Sequence, residues 1–288
     1  MSRKVLLLRL LLFMLDANNS KFNLKDFPKI MGILNVTPDS FSDGGNFLNL
    51  DESLRHAEHM VIEGADIIDI GGESSRPGSE PVSTQEEIDR IIPVIEAIAD
   101  RLDIPISVDT SKPDVMSNAI NAGACMINDI NALRAEGAID VAAETQAFVC
   151  LMHMRGKPKI MQESPHYKNV VQEVKNFLLT RADLCEKSGI LKNKIVIDPG
   201  FGFGKNLNHN LSLLKELPQF AFGDYPILVG ISRKSMLGEI TRRSVDRRLA
   251  GSLFSALIAL QKGASILRVH DVAETKDIVR LWQALEST

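Results

Sequence analysis

The sequence predicts a single (β/α)8 barrel, and three observations carry that reading. Short β-rich apolar runs alternate with longer stretches of helical spacing, the pattern of parallel strands joined by crossover helices. These runs number eight, and the regular β/α units extend from about residue 30 to residue 286. The chain of 288 residues has no Pro- or Gly-rich linker to divide it, and single α/β barrels routinely reach about 250 residues. A doubly wound open sheet is the alternative, but eight regular units fit a barrel better.

In chain order, the first strand is expected in "IMGILNV" from Ile30, followed by the polar run "TPDSFSDGG". The second is "ADIIDIG" from Ala65, leading into "GESSRPG". The segment "STQEEIDRIIPVIEAIAD" reads as a helix with Ser83 or Thr84 as N-cap, Glu86 or Glu87 as capping-box partner, and Ile88, Ile91, Ile92, Ile95 and Ile98 along one apolar face. "IPISVDT" from Ile104 supplies the third strand, and "SKPDVMSNAINAG" a helix with Pro113 in a permitted first-turn position. "ACMINDI" from Ala124, "AFVCLMH" from Ala147, "KIVIDPG" from Lys194 and "PILVGIS" from Pro226 are the fourth to seventh strands. "VDRRLAGSLFSALIALQKG" is a Leu- and Ala-rich outer helix closed by Gly263 at C′, and "SILRVHD" from Ser265 is the eighth strand.

Residues 1–29 are read as an extension outside a barrel domain of residues 30–288. "MSRKVLLLRLLLFML" imitates a signal peptide, but Arg9 interrupts the apolar run and no A-x-A-like site follows. The run also falls well short of the ~20 apolar residues of a membrane span. An accessory helix or strand, or a misassigned start codon, is expected there. From Ile30 onward nothing is long enough to cross a bilayer, so no membrane role is expected.

Hydrophobic residues at 44%, charged residues at 24% and 19 glycines describe a globular protein with a sizeable core. The formal charge of −4, from 33 basic and 37 acidic residues, gives no basic field for nucleic acid, so any anionic ligand must be held by a local cluster. Cys125, Cys150 and Cys185 are odd in number and show no CxxC spacing. They are read as buried thiols of a cytoplasmic protein.

In a (β/α)8 barrel the active site lies at the C-terminal ends of the strands. Polar groups collect at those ends here: Asn35; Asp69 with Gly71, Gly72, Glu73 and Ser74; Asp109; Asn128 and Asp129; His153; Asp198; Ser232, Arg233 and Lys234; Arg268, His270 and Asp271. Any single Asp or Asn could simply cap the next helix. Every strand ending this way, with cations joining late in the chain, points instead to a ligand site.

The segments "GILNVTPDSFSDGG", "IIDIGGESSRPG", "ISVDTSKP", "INDI", "CLMHM", "IDPGFGFGK", "LVGISRKSMLG" and "LRVHDV" together resemble the dihydropteroate synthases, from about Ile30 to the C-terminal helix. The resemblance implies a TIM barrel, a homodimer, Mg2+ dependence, and displacement of diphosphate from 6-hydroxymethyl-7,8-dihydropterin diphosphate by the nitrogen of 4-aminobenzoate. It also implies a sulfonamide target.

The residues suit that chemistry. A reduced pterin offers an amino-pyrimidinone edge that carboxylates and amides can match, and Asp109, Asn128 and Asp198 stand at three strand ends where the family binds its pterin. Lys234 of "SRKS" resembles the family's lysine beside the pterin ring, and Met152 and Phe203 are read as apolar walls for it. Arg268 and His270 alternate with Val269, so a strand period of two sends both to one face, where Arg suits phosphate oxygens. Asn35 offers a hard amide oxygen for Mg2+, which takes few protein ligands beside phosphate and water. Ser75 and Arg76 lie on a loop that in the family binds arylamine and diphosphate; the family often has Thr at the position of Ser75. "TPDSFSDGG" is expected to be a lid with Phe41 as its apolar contact. "DPGFGFGK" lacks P-loop spacing, so its glycines are read as turn geometry around Asp198, with Lys205 structural.

Asp109, Lys234, Arg268 and His270 are thus the expected catalytic groups. No Ser-His-Asp or Cys-His arrangement is evident, and a neutral arylamine needs no strong base. Two rivals share parts of the pattern: a barrel that passes methyl groups from methyltetrahydrofolate to a corrinoid protein, and a catalytically silent pterin-binding barrel. The first has no diphosphate to hold, which "SRPG", "SRKS" and the Arg268–His270 pair argue against. Nothing favours the second.

Overall fold

The computed structural model describes residues 28–37, 46–74, 79–156, 161–162 and 164–288. The expectations placed on residues 1–27, on the run 38–45 with Phe41, and on Ser75 and Arg76 lie outside the described residues.

All eight expected strands form: β1 (Lys29–Asn35), β2 (Ile67–Gly71), β3 (Ile106–Asp109), β4 (Met126–Asp129), β5 (Phe148–Met152), β6 (Ile195–Asp198), β7 (Leu228–Val229) and β8 (Ile266–Val269). Nine α-helices accompany them among the described residues: α1 (Asn46–Glu63), α2 (Thr84–Arg101), α3 (Pro113–Asn121), α4 (Ala138–Thr145), α5 (Val170–Lys187), α6 (Leu207–Lys215), α7 (Ser235–Thr241), α8 (Leu249–Gln261) and α9 (Val272–Glu286). The strands run parallel in the order β6-β5-β4-β3-β2-β1-β8-β7. A single bridge between Ile197 and Ile227 joins the two edges, with the Ile197 N–H donating to the Pro226 carbonyl at 3.0 Å. The result is a one-domain TIM barrel.

Local signals account for most boundaries. Ser83 caps α2 by accepting from the Glu86 N–H at 3.2 Å, but the expected capping box is not made. The Glu86 carboxylate takes Arg90 instead, and Glu87 takes Lys112 at 2.5 Å. Pro113 opens α3, and Gly263 follows the end of α8 at φ 94°. The seventh strand is shorter than "PILVGIS" suggests. Beyond Val229 the chain turns, with the Lys234 N–H donating to the Ile231 carbonyl at 3.1 Å and Arg233 at φ 57°.

The apolar residues divide into two main clusters. One fills the space between strands and helices, and includes Ile91, Ile95 and Ile98 from the predicted face of α2. The other is the plug inside the barrel, comprising Met31, Ile67, Cys125, Met126, Phe148, Cys150, Val196, Leu228 and Ile266. Strand side chains alternate faces, so the residues two further along stand one storey above this plug. Beyond Ile67, Met126, Cys150, Val196 and Ile266 these are Asp69, Asn128, Met152, Asp198 and Arg268. The three cysteines are free and buried. Among the described residues no helix is long and apolar enough to cross a membrane.

Candidate active site

Asp69 is the centre of the polar storey. It is wholly buried in β2, and its Oδ2 accepts from Arg268 Nε at 2.6 Å and from Asn128 Nδ2 at 3.1 Å. Its Oδ1 is buried with no hydrogen-bond partner among the described residues. Arg268 completes its fork by donating from Nη2 to Asp109 Oδ2 at 2.7 Å. One guanidinium from β8 therefore spans carboxylates on β2 and β3. Burial opposes the Arg268 charge, but Asp69 and Asp109 outweigh it and hold its pKa above the usual value. Burial pushes Asp109 up to about 7, against the pull of Arg268 and with a further push from Asp69.

A second group stands on β6 and the segment after β7. Asp198 is 6% exposed, and its Oδ1 accepts from the Gly200 N–H at 2.7 Å. Burial raises its pKa, while Lys234 opposes the shift. Lys234 donates to the Phe201 carbonyl and lies 4.6 Å from the centre of the Phe203 ring. Burial pushes its ammonium down to about 8, with Asp198 resisting. The left-handed turn at Arg233 separates consecutive cations. Arg233 pairs with Asp271 through Nε and Nη2, whereas Lys234 faces the Phe201–Phe203 loop.

The structure therefore brings Asp109, Asn128, Asp198, Lys234 and Arg268 to one end of the barrel, with Met152 and Phe203 beside them in a cluster completed by Ile130, Met154 and Met161. Asn35 ends β1 opposite Gly71 at the same rim. His270 follows directly on β8, which ends at Val269, so it stands one residue beyond the strand whose alternation was used to place it. Its Nδ1 lies 3.0 Å from Ser232 Oγ, and its N–H donates to the same oxygen at 3.2 Å.

Asp69 was not among the expected binding residues, although a lone Asp inside the fully buried "IIDIG" is a signal that a cap does not explain. Asp129, by contrast, is a turn anchor. It accepts from Ser111 Oγ at 2.5 Å and from the Asn131 and Leu133 N–H groups at 2.7 Å each. An open cavity of about 460 Å3 is lined by His153, Arg134, Arg155, Tyr167, Glu173 and Phe177; of the polar strand-end residues only His153 is on its wall, and none of the expected substrate-binding residues is.

Among the described residues no group of three or more His, Cys, Asp or Glu side chains is arranged to hold a metal. The rim instead offers the hard amide oxygen of Asn35, which suits an ion completed by phosphate oxygens and water.

The model of a family described as "Pterin binding enzyme" matches residues 31–270. The dihydropteroate synthase of Haemophilus influenzae is 53% identical over 270 residues, covering 94% of this chain and 98% of that protein. The Yersinia pestis dihydropteroate synthase, solved with a sulfonamide drug complex, superposes with a TM-score of 0.88 at 50% identity, covering 93% of this chain and 97% of that one. The Xanthomonas albilineans enzyme in complex with 7,8-dihydropteroate gives 0.84 at 46% identity, covering 93% and 96%. With the barrel, its polar upper storey and these similarities in hand, the chain belongs to the dihydropteroate synthases of the pterin binding enzyme family.

Proposed function

We propose that this chain condenses (7,8-dihydropterin-6-yl)methyl diphosphate with 4-aminobenzoate to give 7,8-dihydropteroate and diphosphate. The observation that carries the reading is the convergence of Asp109, Asn128 and Asp198 with Lys234 and Arg268 at one barrel mouth. The carboxylates and the amide match the donors and acceptors of a pterin edge. Met152 and Phe203 bracket a flat ring, and Lys234 reaches its carbonyl or ring nitrogen.

The bond from the pterin methylene carbon to the diphosphate oxygen breaks, and the arylamine nitrogen forms the new bond to that carbon and then releases a proton to solvent. Asp109 and Asp198 stabilise positive charge that spreads into the ring, so their contribution falls on turnover as well as on binding. Arg268 and His270 receive the departing diphosphate with Ser75 and Arg76. Asn35 would hold Mg2+ by its amide oxygen, where the ion supplies countercharge for the leaving group.

Two further attributes belong to this reading. Ile240, Val245 and Phe254, each more than half exposed, lie between residues 240 and 254 and support a homodimer. Three unpaired buried thiols suit the reducing cytoplasm.

Mixing the protein with the pterin diphosphate and 4-aminobenzoate, with and without Mg2+, tests the proposal by pyrophosphate release. Release only with both substrates is expected, and stronger with Mg2+. Absence of release would sink the synthase reading, and binding without turnover would favour a silent barrel.

A further inference from the structure

The loop after β6 folds back on the end of β5 so closely that side chains are excluded at two points. A Cβ on Gly200 would collide with the His153 carbonyl, and one on Gly204 with the Arg155 carbonyl; both glycines have positive φ, at 70° and 65°. Such backbone contact crowds carbonyl dipoles together. Lys205 lies among them. Its side chain is enclosed, with the residue only 2% exposed, and Nζ donates to the carbonyls of Gly200 at 2.8 Å, Phe203 at 3.0 Å and His153 at 3.2 Å. Nζ also lies 3.0 Å from His153 Nδ1.

Burial pushes His153 down to about 2, so its ring is neutral. None of these four partners is a carboxylate. Burial pulls the Lys205 pKa well below its usual value, with Asp198 resisting; a polar nitrogen enclosed this way is expensive, and an apolar side chain would fill the same volume without that cost. What Nζ adds is a fixed geometry for the loop that carries Phe203. The same loop carries the Phe201 carbonyl, to which Lys234 donates. The two lysines thus hold neighbouring carbonyls of one turn, Lys205 those of residues 200 and 203 and Lys234 that of residue 201.

We propose that Lys205 is a positioning residue for the pterin pocket: by drawing the ends of β5 and β6 around its Nζ, it sets where Phe203 and Lys234 meet the ring. This rests on the synthase reading above. Lys205 touches no substrate; it acts through the loop. Its removal therefore falls on the pterin rather than on the arylamine.

The test compares Lys205→Met with His153→Phe, which keeps an aromatic ring and the backbone carbonyl but removes the Nδ1 contact. Pterin diphosphate affinity is measured by calorimetry, and KM for each substrate and kcat are measured per folded protein, beside melting curves. Lys205→Met should weaken pterin affinity about tenfold or more, and His153→Phe about threefold, the scale of losing several buried hydrogen bonds and of losing one. KM for 4-aminobenzoate should move by less than about twofold, within the range of surface effects. A fall in melting temperature with pterin affinity unchanged would overturn the proposal, as would equal loss of both substrates. If Lys205→Met does not fold, His153→Phe decides on the same readouts. Wild-type protein that binds no pterin diphosphate would overturn the synthase reading itself, an outcome distinct from a variant that fails beside an active wild type.

Discussion

The lower and upper storeys of the barrel interior stand on the same strands, two residues apart, and are almost equally buried. Ile67, Met126, Val196 and Ile266 below are fully enclosed, while Asp69, Asn128 and Asp198 above are at most 6% exposed. Each apolar side chain below contributes about 1.5–3 kcal/mol by leaving water. Each carboxylate above costs several kcal/mol to desolvate, and the cost is recovered only through good partners. Arg268 is the principal partner, reaching two of them at once. The lower storey therefore supplies stability, and the upper one uses it to hold buried charge where a ligand can meet it.

Four substitutions test this division. Arg268→Met should be the most damaging, because it strands Asp69 and Asp109. We expect about 3–5 kcal/mol of lost stability in urea titrations together with loss of turnover. A variant of unchanged stability would mean that the upper storey is solvated enough to need no partner. Phe148→Ala, in the plug, should cost a similar 3–5 kcal/mol but leave KM near the wild-type value for the molecules that remain folded; a raised pterin KM would show that the two storeys are not separable. Asp109→Ala reverses that pattern. It should lower kcat/KM about a hundredfold, the scale of two hydrogen bonds to a charged group, with stability held or raised. Normal kinetics would reduce Asp109 to a partner of Arg268. Met152→Leu, a swap of similar volume, should cost less than about 1.5 kcal/mol and change pterin affinity least of all.

Asp109 also sets a pH dependence. Its carboxyl is raised from 3.8 to about 7 in the folded chain, so the folded state binds more protons than the unfolded one over that interval. Stability from this group therefore falls as pH rises through the interval, and the loss is complete above about pH 7. Pterin binding, which uses the ionised carboxylate, should strengthen over the approach to pH 7. It should weaken again as Lys234 loses its proton near pH 8. Asp109→Asn should remove the acidic limb and leave the alkaline one; an unaltered profile would assign the acidic limb to another group.

The barrel was legible because its signals are local. Alternation of short apolar runs with helical spacing needs no knowledge of distant contacts, and caps such as Ser83 and Pro113 are read within one turn. Polar strand ends were legible for the same reason, since the architecture itself sends them to one face. Pairing was not. Arg268 meets Asp69 and Asp109 across 199 and 159 residues of sequence, and nothing near Arg268 announces that its charge is already engaged. The same distance hid Asp69 as the centre of the site. His270 lies one residue beyond the strand whose alternation was used to place it, and its contact with Ser232, 38 residues away in sequence, was equally out of view. Lys205 was read as structural, and its hydrogen bonds show how, although its bearing on Phe203 could not be seen without the β5 contact.

The single bridge between β6 and β7 gives the ring one compliant seam. On one side of it stands Asp198, and just past the other comes Lys234, whose ammonium crosses to the Phe201 carbonyl. A side chain thus does there what backbone ladders do around the rest of the circumference. That ammonium has only three protons to divide between the loop and a bound ring, so substrate capture and closure of the barrel draw on the same donor. Amide exchange at Ile197 and Ile227 should therefore respond to a pterin more than exchange in the fully laddered strands β1 and β2, making the seam a reporter of occupancy.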